Sequence, residues 1–483
     1  MYIQIALIII ALVAIILWFG GGYKQAQAKD DRFSLPAILL GAWVIAGAVF
    51  GVGVFVLRPA GLFDITIERL LFSVILFFLV AGLFTGKVRF QTNRTIEITM
   101  GIFALVCILS MMRVGFVAVS PEFVSPWFVF ITGYLFPFLI FIFAKNYIVS
   151  EKDVTLILQA LFYFGIYLSI MAFFEYANLR QFVFPAYIND PASPLHLDRA
   201  RGPFLNSAFN GVGILIGLIS GLHLLQKKTG FAKVFYQAAL LLFFPAVFFT
   251  LTRSVYLGLL ITLFIFLGWY KTSFSKWKLI ALPLAIVLIV GIANSPRLLS
   301  TDRREGGVAQ REEVSIRVAL LNQSYFLFSE HPLTGVGLAQ FIPAASSSQR
   351  YKGPVPFIIE ESRTTFQHNH LLGIATELGI PGLLAYLALI FLTMRRLLQL
   401  AGKLPDTGIM GNNLRITIFA IWCVYLNNNL FVEPSNNIFV NAVPFLFAGI
   451  ADGLYTRSLE SGLLSPSPAG RPQSRMRMIK SHV

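Results

Sequence analysis

Charge is what this chain lacks most. Only 13% of its 483 residues are Asp, Glu, Lys or Arg, where a soluble domain carries roughly a quarter. Acidic groups are the scarcer sign, 23 against 38 basic ones. Cysteine is nearly absent. Cys107 and Cys423 both fall inside apolar blocks, which excludes a disulfide framework and a thiolate metal site. A basic leader is missing too, because the first 23 residues hold no Lys or Arg. Ala26-Gln27-Ala28 resembles a cleavage site, but without that basic start, and behind so long an apolar run, the segment reads as a retained first span.

What is present is apolar length. Hydrophobic residues make up 57% of the chain and mean hydropathy is +0.74. They come in blocks of about 20, the length that crosses a bilayer as a helix. The expected spans are 2–19, 35–57, 69–86, 96–112, 126–148, 155–175, 208–226, 235–252, 254–270, 279–294, 371–394, 414–431 and 437–455. Residues 235–270 hold one charge, Arg253. As a single helix they would be about 54 Å long against a hydrocarbon core of about 30 Å. A turn is therefore predicted at Thr250-Leu251-Thr252-Arg253-Ser254. The fold class is an all-α polytopic integral membrane protein of 12–13 spans, with a large loop between late spans.

Basic residues set the orientation. One set of short loops, with the tail, carries 23 Lys and Arg, among them Lys227, Lys228, Lys271, Arg395, Arg396 and Arg415. The other side carries 15, and eight of those lie in the long loop 295–370, where charge has little influence on topology. The first set is therefore cytoplasmic, with the N-terminus periplasmic and the C-terminus cytoplasmic. The organisation that follows is N-terminal spans in 1–175, a periplasmic loop at 176–207 and central spans in 208–294. A large periplasmic loop at 295–370, C-terminal spans in 371–455 and a disordered cytoplasmic tail at 456–483 complete it. The outer 15 include a single lysine, Lys352, and the cytoplasmic 23 include 13. A guanidinium fork suits bidentate contact with phosphate or carboxylate. Interface chemistry, or pairing with Asp302, Glu305, Glu312 or Glu313, explains any one of these arginines as well. The set as a whole points to an outward-facing anion site.

Within the long loop, Ile316, Leu320, Leu321, Tyr325 and Phe328 recur at helical spacing and predict an amphipathic helix along the membrane or capping a cavity. Pro332, Gly335 and Gly337 end it. Residues 345–365 read as polar and mobile. The chain then runs FQHNHLLGIATELGIPG (366–382), with His368 and His370 where the polar loop meets a span.

That stretch carries a resemblance. His368-Asn369, then nine intervening residues, then Gly379-Ile380-Pro381-Gly382 is similar to the O-antigen ligase and polymerase superfamily of bacterial membrane glycosyltransferases. RARGPFLNSAFNG (199–211), LTRSVYLGLL (251–260) and HPLTGVGLAQF (331–341) resemble further pieces of that pattern, in the same order. The resemblance implies a glycan donor on a polyprenyl (undecaprenyl) diphosphate and a glycan or lipid acceptor at the outer face of the bacterial inner membrane. It implies no metal and no cofactor. Polysaccharide export or chain-length proteins are candidate partners, and nucleic acid is not.

The resemblance puts His368 in the functional slot, with Asn369 beside it. A histidine near its ordinary pKa suits proton removal from an acceptor hydroxyl, and fixed guanidinium groups suit a departing diphosphate. The candidate diphosphate ligands are Arg253, expected to be buried in a vestibule, then Arg201 and Arg199, then Arg317. Which of Arg199 and Arg201 meets substrate stays open. Glu175 is a candidate supporting partner, and His370 reads as a boundary or packing residue. The competing class is a transporter or flippase of lipid-linked or anionic substrates. Such proteins keep ionisable groups near the midplane and show internal repeats; here charge crowds at span ends.

Overall fold

The computed structural model describes residues 33–50, 56, 65–86, 88, 94–120, 122–193, 196–271, 276–293, 295–296, 311–347, 365–434 and 437–460. The expected span 2–19, most of the polar stretch 345–365 and nearly all of the expected tail lie outside the described residues. So do Arg58, Arg297, Arg303, Arg304, Arg350, Lys352 and Arg363.

Among the described residues the regular structure is helical, with no strand. The long elements are α1 (Leu35–Val49), α2 (Ile67–Phe84), α3 (Thr95–Val114), α4 (Pro126–Tyr147), α5 (Glu151–Tyr176), α6 (Ser207–Leu225) and α7 (Gly230–Phe249). They continue as α8 (Arg253–Trp269), α9 (Leu282–Ala293), α10 (Arg311–Glu330), the short α11 (Phe341–Ser347), α12 (His370–Gln399), α13 (Asn412–Asn429) and α14 (Ile438–Glu460). Each expected span from 35–57 onward overlaps one of these helices. Eight are long and apolar enough to cross a membrane, and the protein is a multi-pass all-α membrane protein. The turn expected near residue 250 is present: α7 ends at Phe249 and α8 begins at Arg253.

Burial sorts the helices. In the apolar stretch of α6 and of α14, 94% of the residues are buried, whereas in α2, α3 and α7 only 28–33% are, and those helices turn apolar side chains outward. α14 packs along α4, α6 along α5, and α13 against α8. At the α5–α6 contact, a Cβ on Gly165 would lie 2.7 Å from the Cα of Gly217, and the reverse holds equally. Glycine at both positions lets two backbones touch, which is how apolar helices gain packing where lipid supplies no hydrophobic drive.

α12 is kinked. Gly379 has φ 67° and ψ −167°, outside helical geometry, and Pro381 follows it. The segment after α10 docks at that kink: Ile380 N donates to Pro332 O at 2.8 Å, and Val336 N to Thr376 O at 2.9 Å. Glu377 accepts from Ala339 N and Phe341 N, and Arg113 donates to the carbonyls of Thr334 and Gly335. The glycines and prolines of 331–341 and 379–382 thus serve one joint between the loop and the span.

α10 packs on α12 and α11, with one correction to its expected face. Ala319, Leu320, Gln323, Ser324 and Leu327 are buried, while Leu321 and Tyr325 are exposed together with Val314 and Val318. The inward face is turned by about one residue: it combines Leu320 and Leu327 with the small or polar Ala319, Gln323 and Ser324 and leaves Leu321 and Tyr325 outside.

The Arg396 end of α12 lies roughly 39 Å along the helix from His370. It holds a buried ionic cluster: Asp452 on α14 pairs with Arg396 and with Lys145 of α4 (2.7 Å to Lys145), and Lys145 also pairs with Glu97 of α3. Arg396 further stacks on the Tyr455 ring at 3.9 Å. Four helices are tied by charges that shield one another from an apolar surround.

Candidate functional site

The site begins with a helix cap. Asn369 has extended φ/ψ (−155°, 112°), and its side chain accepts from Leu372 N, so α12 starts at His370. A capping amide satisfies an amide group the first turn would leave open. His368 therefore stands just before the helix, half-buried. The other end of the Asn369 side chain reaches toward Leu430 O at 3.4 Å.

His368 and Asn369 line a cavity of about 240 Å³. One wall is α10, with Arg317, Leu320, Leu321 and Ser324; the second is Gln367 through Asn369 and Leu372; the third is Leu430 and Phe431, just past α13. Arg317 is exposed, on the outward side of α10. Ser324 Oγ and Gln367 Nε2 are buried without a hydrogen-bond partner among the described residues. Buried polar atoms normally have partners, so this cavity offers hydroxyl and amide groups to a polar ligand. An imidazole, a guanidinium and unmatched polar groups against leucine walls make a site able to hold a sugar ring and an anion.

The other sequence-predicted residues do not line this cavity and gather instead about the turn that ends α7. Ala200 N donates to Phe249 O at 3.0 Å, and Ser207 Oγ meets Thr252 Oγ1 at 2.9 Å. The Arg199–Arg201 loop therefore lies against the turn that carries Arg253. That turn is fastened to α13 by Asn427 Nδ2, which donates to Ser254 O at 2.7 Å. Arg253 is the first residue of α8 and is exposed, contrary to the expected burial; the turn carries its side chain outward from the bundle. Arg199 is largely buried, 3.5 Å from Asp198.

Arg201 is fully buried. Its guanidinium donates to the carbonyls of Ile188, Ser193 and Asp190. Glu175 accepts from the backbone amides of Arg201 and Gly202. Burial pushes the Arg201 pKa down, while the Glu175 and Asp190 carboxylates oppose the shift. In this structure the fork of Arg201 grips its own loop.

Two residues the sequence reading did not single out are Glu433 and Asn427. His370, read as a boundary or packing residue, is buried, and its Nδ1 lies 2.6 Å from Glu433 Oε1. A signal existed: Glu433 is the one acidic residue between Asp406 and Asp452, in the short link between the last two spans, on the face assigned to the histidines. The other is Asn427, first of three consecutive asparagines closing α13.

Residues 238–387 match the family model described as O-Antigen ligase. The match takes in Arg253, Arg317, His368 and Asn369 and leaves out Glu175, Arg199, Arg201 and Glu433. It bears out the resemblance carried by the sequence motifs. No curated protein matches the chain.

Proposed function

The chain carries an O-antigen ligase domain within a multi-pass membrane bundle, and from that premise we propose a specific reaction for it. The glycan donor is a polyprenyl diphosphate conjugate, presented at the periplasmic face of the bacterial inner membrane. An acceptor hydroxyl attacks the anomeric carbon of the donor, and the bond from that carbon to the diphosphate oxygen breaks with inversion. His368 takes the hydroxyl proton, and guanidinium groups stabilise the charge gathering on the diphosphate.

The observation that carries this reading is the cavity shared by His368 and Arg317. These residues are 51 positions apart in sequence and meet only because α10 folds back onto the start of α12. Arg253 supports the reading from the neighbouring turn. A guanidinium at a helix N-terminus is disfavoured by about 0.3–1 kcal/mol, and a bound diphosphate would offset that while also meeting the helix amides. Arg199 belongs with Arg253 on this reading. Arg201 and Glu175 then act at one remove, by shaping the loop that presents Arg199. A metal-independent reaction follows, since the charge-stabilising role falls to arginine.

The test is the purified chain with a polyprenyl-diphosphate glycan, its acceptor and nothing else. Release of the carrier diphosphate together with a product of inverted anomeric configuration supports the reading. Donor left intact while it crosses vesicle bilayers would overturn it in favour of a flippase.

A further inference from the structure

We propose that the buried His370–Glu433 pair is a positioning element for the transfer site, and that Gly373 is what allows it to form. The proposal rests on the cavity beside His368 being the site of transfer. His370 stands two residues after His368, and Glu433 two residues after Phe431, so the pair joins two of the three cavity walls directly behind them. A second, longer bond between those walls runs from Asn369 Nδ2 to Leu430 O.

Both partners are held from several sides. The His370 ring lies nearly parallel to Tyr134, with centroids 6.1 Å apart, and meets Tyr386 edge-on at 5.2 Å. Tyr134 is presented by a π-helical turn, Phe130–Leu135, inside α4, a local widening that re-aims side chains and recurs at functional sites. The Tyr386 hydroxyl bonds that of Tyr425 at 2.8 Å; Tyr425 donates to Asn441, and Asn441 donates to Pro434 O. That chain returns to the residue after Glu433. The loop behind the cavity is thus fixed from α4, α12, α13 and α14 at once.

Gly373 closes the argument. It sits in the first turn of α12, where a Cβ would lie 2.6 Å from Glu433 Oε2 and 3.7 Å from the Gln367 amide carbon. Alanine is the better helix former at such a position, yet its methyl group would displace the carboxylate. The space glycine leaves is filled by Glu433, with the cavity residue Gln367 against it. A small displacement of a group near reacting atoms is enough to slow a reaction that depends on alignment.

Gly373→Ala disturbs the pair while leaving both partners in place. In purified protein with a polyprenyl-diphosphate glycan, Gly373→Ala and Glu433→Ala are expected to lower kcat by about tenfold or more with little change in donor KM. His370→Asn, which keeps a hydrogen-bond donor near the Nδ1 position, is expected to restore most of the rate that His370→Ala loses. Hydrogen exchange at 366–372 and 430–434 is expected to quicken in Gly373→Ala, a readout that stands even if the wild-type chain leaves this donor untouched. Unchanged exchange in both segments, or wild-type turnover in Gly373→Ala and Glu433→Ala together, would overturn the proposal. Failure of His370→Asn to restore rate would also overturn it, because the imidazole would then be acting by proton exchange and not by position.

Discussion

Asn427 Nδ2 donates to the carbonyl oxygen of Ser254 at 2.7 Å. This one bond joins the turn bearing Arg253 to the end of α13, three residues before the cavity wall at Leu430. It adds a polar fastening to the packing of α8 on α13, two helices that chain order keeps far apart.

Replacing Asn427 with Leu leaves the Ser254 carbonyl without this partner in a buried place. The expected cost is about 1–3 kcal/mol of stability, read as a lower melting temperature in detergent. Turnover is expected to fall as well, because Arg253 loses its fixed distance from the cavity. An unchanged melting temperature would mean that the bond carries no load.

The arginines separate by what their forks touch. Arg317→Lys and Arg253→Lys keep the charge and lose the bidentate geometry, so each is expected to lower turnover at least about tenfold at normal membrane levels. Arg201→Lys should act differently. A single ammonium cannot serve the Ile188, Ser193 and Asp190 carbonyls together, so the amount of folded protein should drop. Arg395→Lys, at an exposed position, is the neutral control. Near-normal rates for both Arg317→Lys and Arg253→Lys would remove the diphosphate from the account.

Much of the fold was legible because membrane spans announce themselves by length and composition. The turn near residue 250 followed from helix rise against bilayer thickness alone. The inward face of α10 was not legible, since its apolar period is ambiguous and the protein buries Gln323 and Ser324 in place of Leu321 and Tyr325. The excess of arginine over lysine on the face expected to be periplasmic was visible, but the uses of the forks were not: Arg113 and Arg201 hold carbonyls of loops distant from or next to them. His368 and Asn369 were readable as a motif. The His370–Glu433 pair needed a contact across 63 residues, which no local pattern encodes.

Chelation should leave the reaction intact. Among the described residues no group of three or more His, Cys, Asp or Glu could hold a metal ion, and in the proposed reaction guanidinium groups fill the role a divalent ion would otherwise take. Purified protein is expected to keep its rate in excess chelator. Strict dependence on magnesium or manganese would contradict the arginine mechanism.

At the far end of α12, Arg396 is a poor choice for a neutral substitution, despite lying in a short basic loop by sequence. It is paired with Asp452 and stacked on Tyr455. Asp452→Ala leaves Arg396 and Lys145 buried without their shared carboxylate, a loss of about 3–5 kcal/mol. The expected outcome is a strong fall in the detergent melting temperature. Wild-type stability in that variant would show the cluster to be solvated.

The most direct measurement is the turnover of His368→Ala, purified and supplied with its lipid-linked donor and acceptor. The account predicts a loss of about a hundredfold or more, with an unchanged melting temperature and unchanged donor binding. Turnover close to that of the wild-type chain would contradict it, for no group described beside Arg317 in the cavity would then be needed to take the acceptor proton.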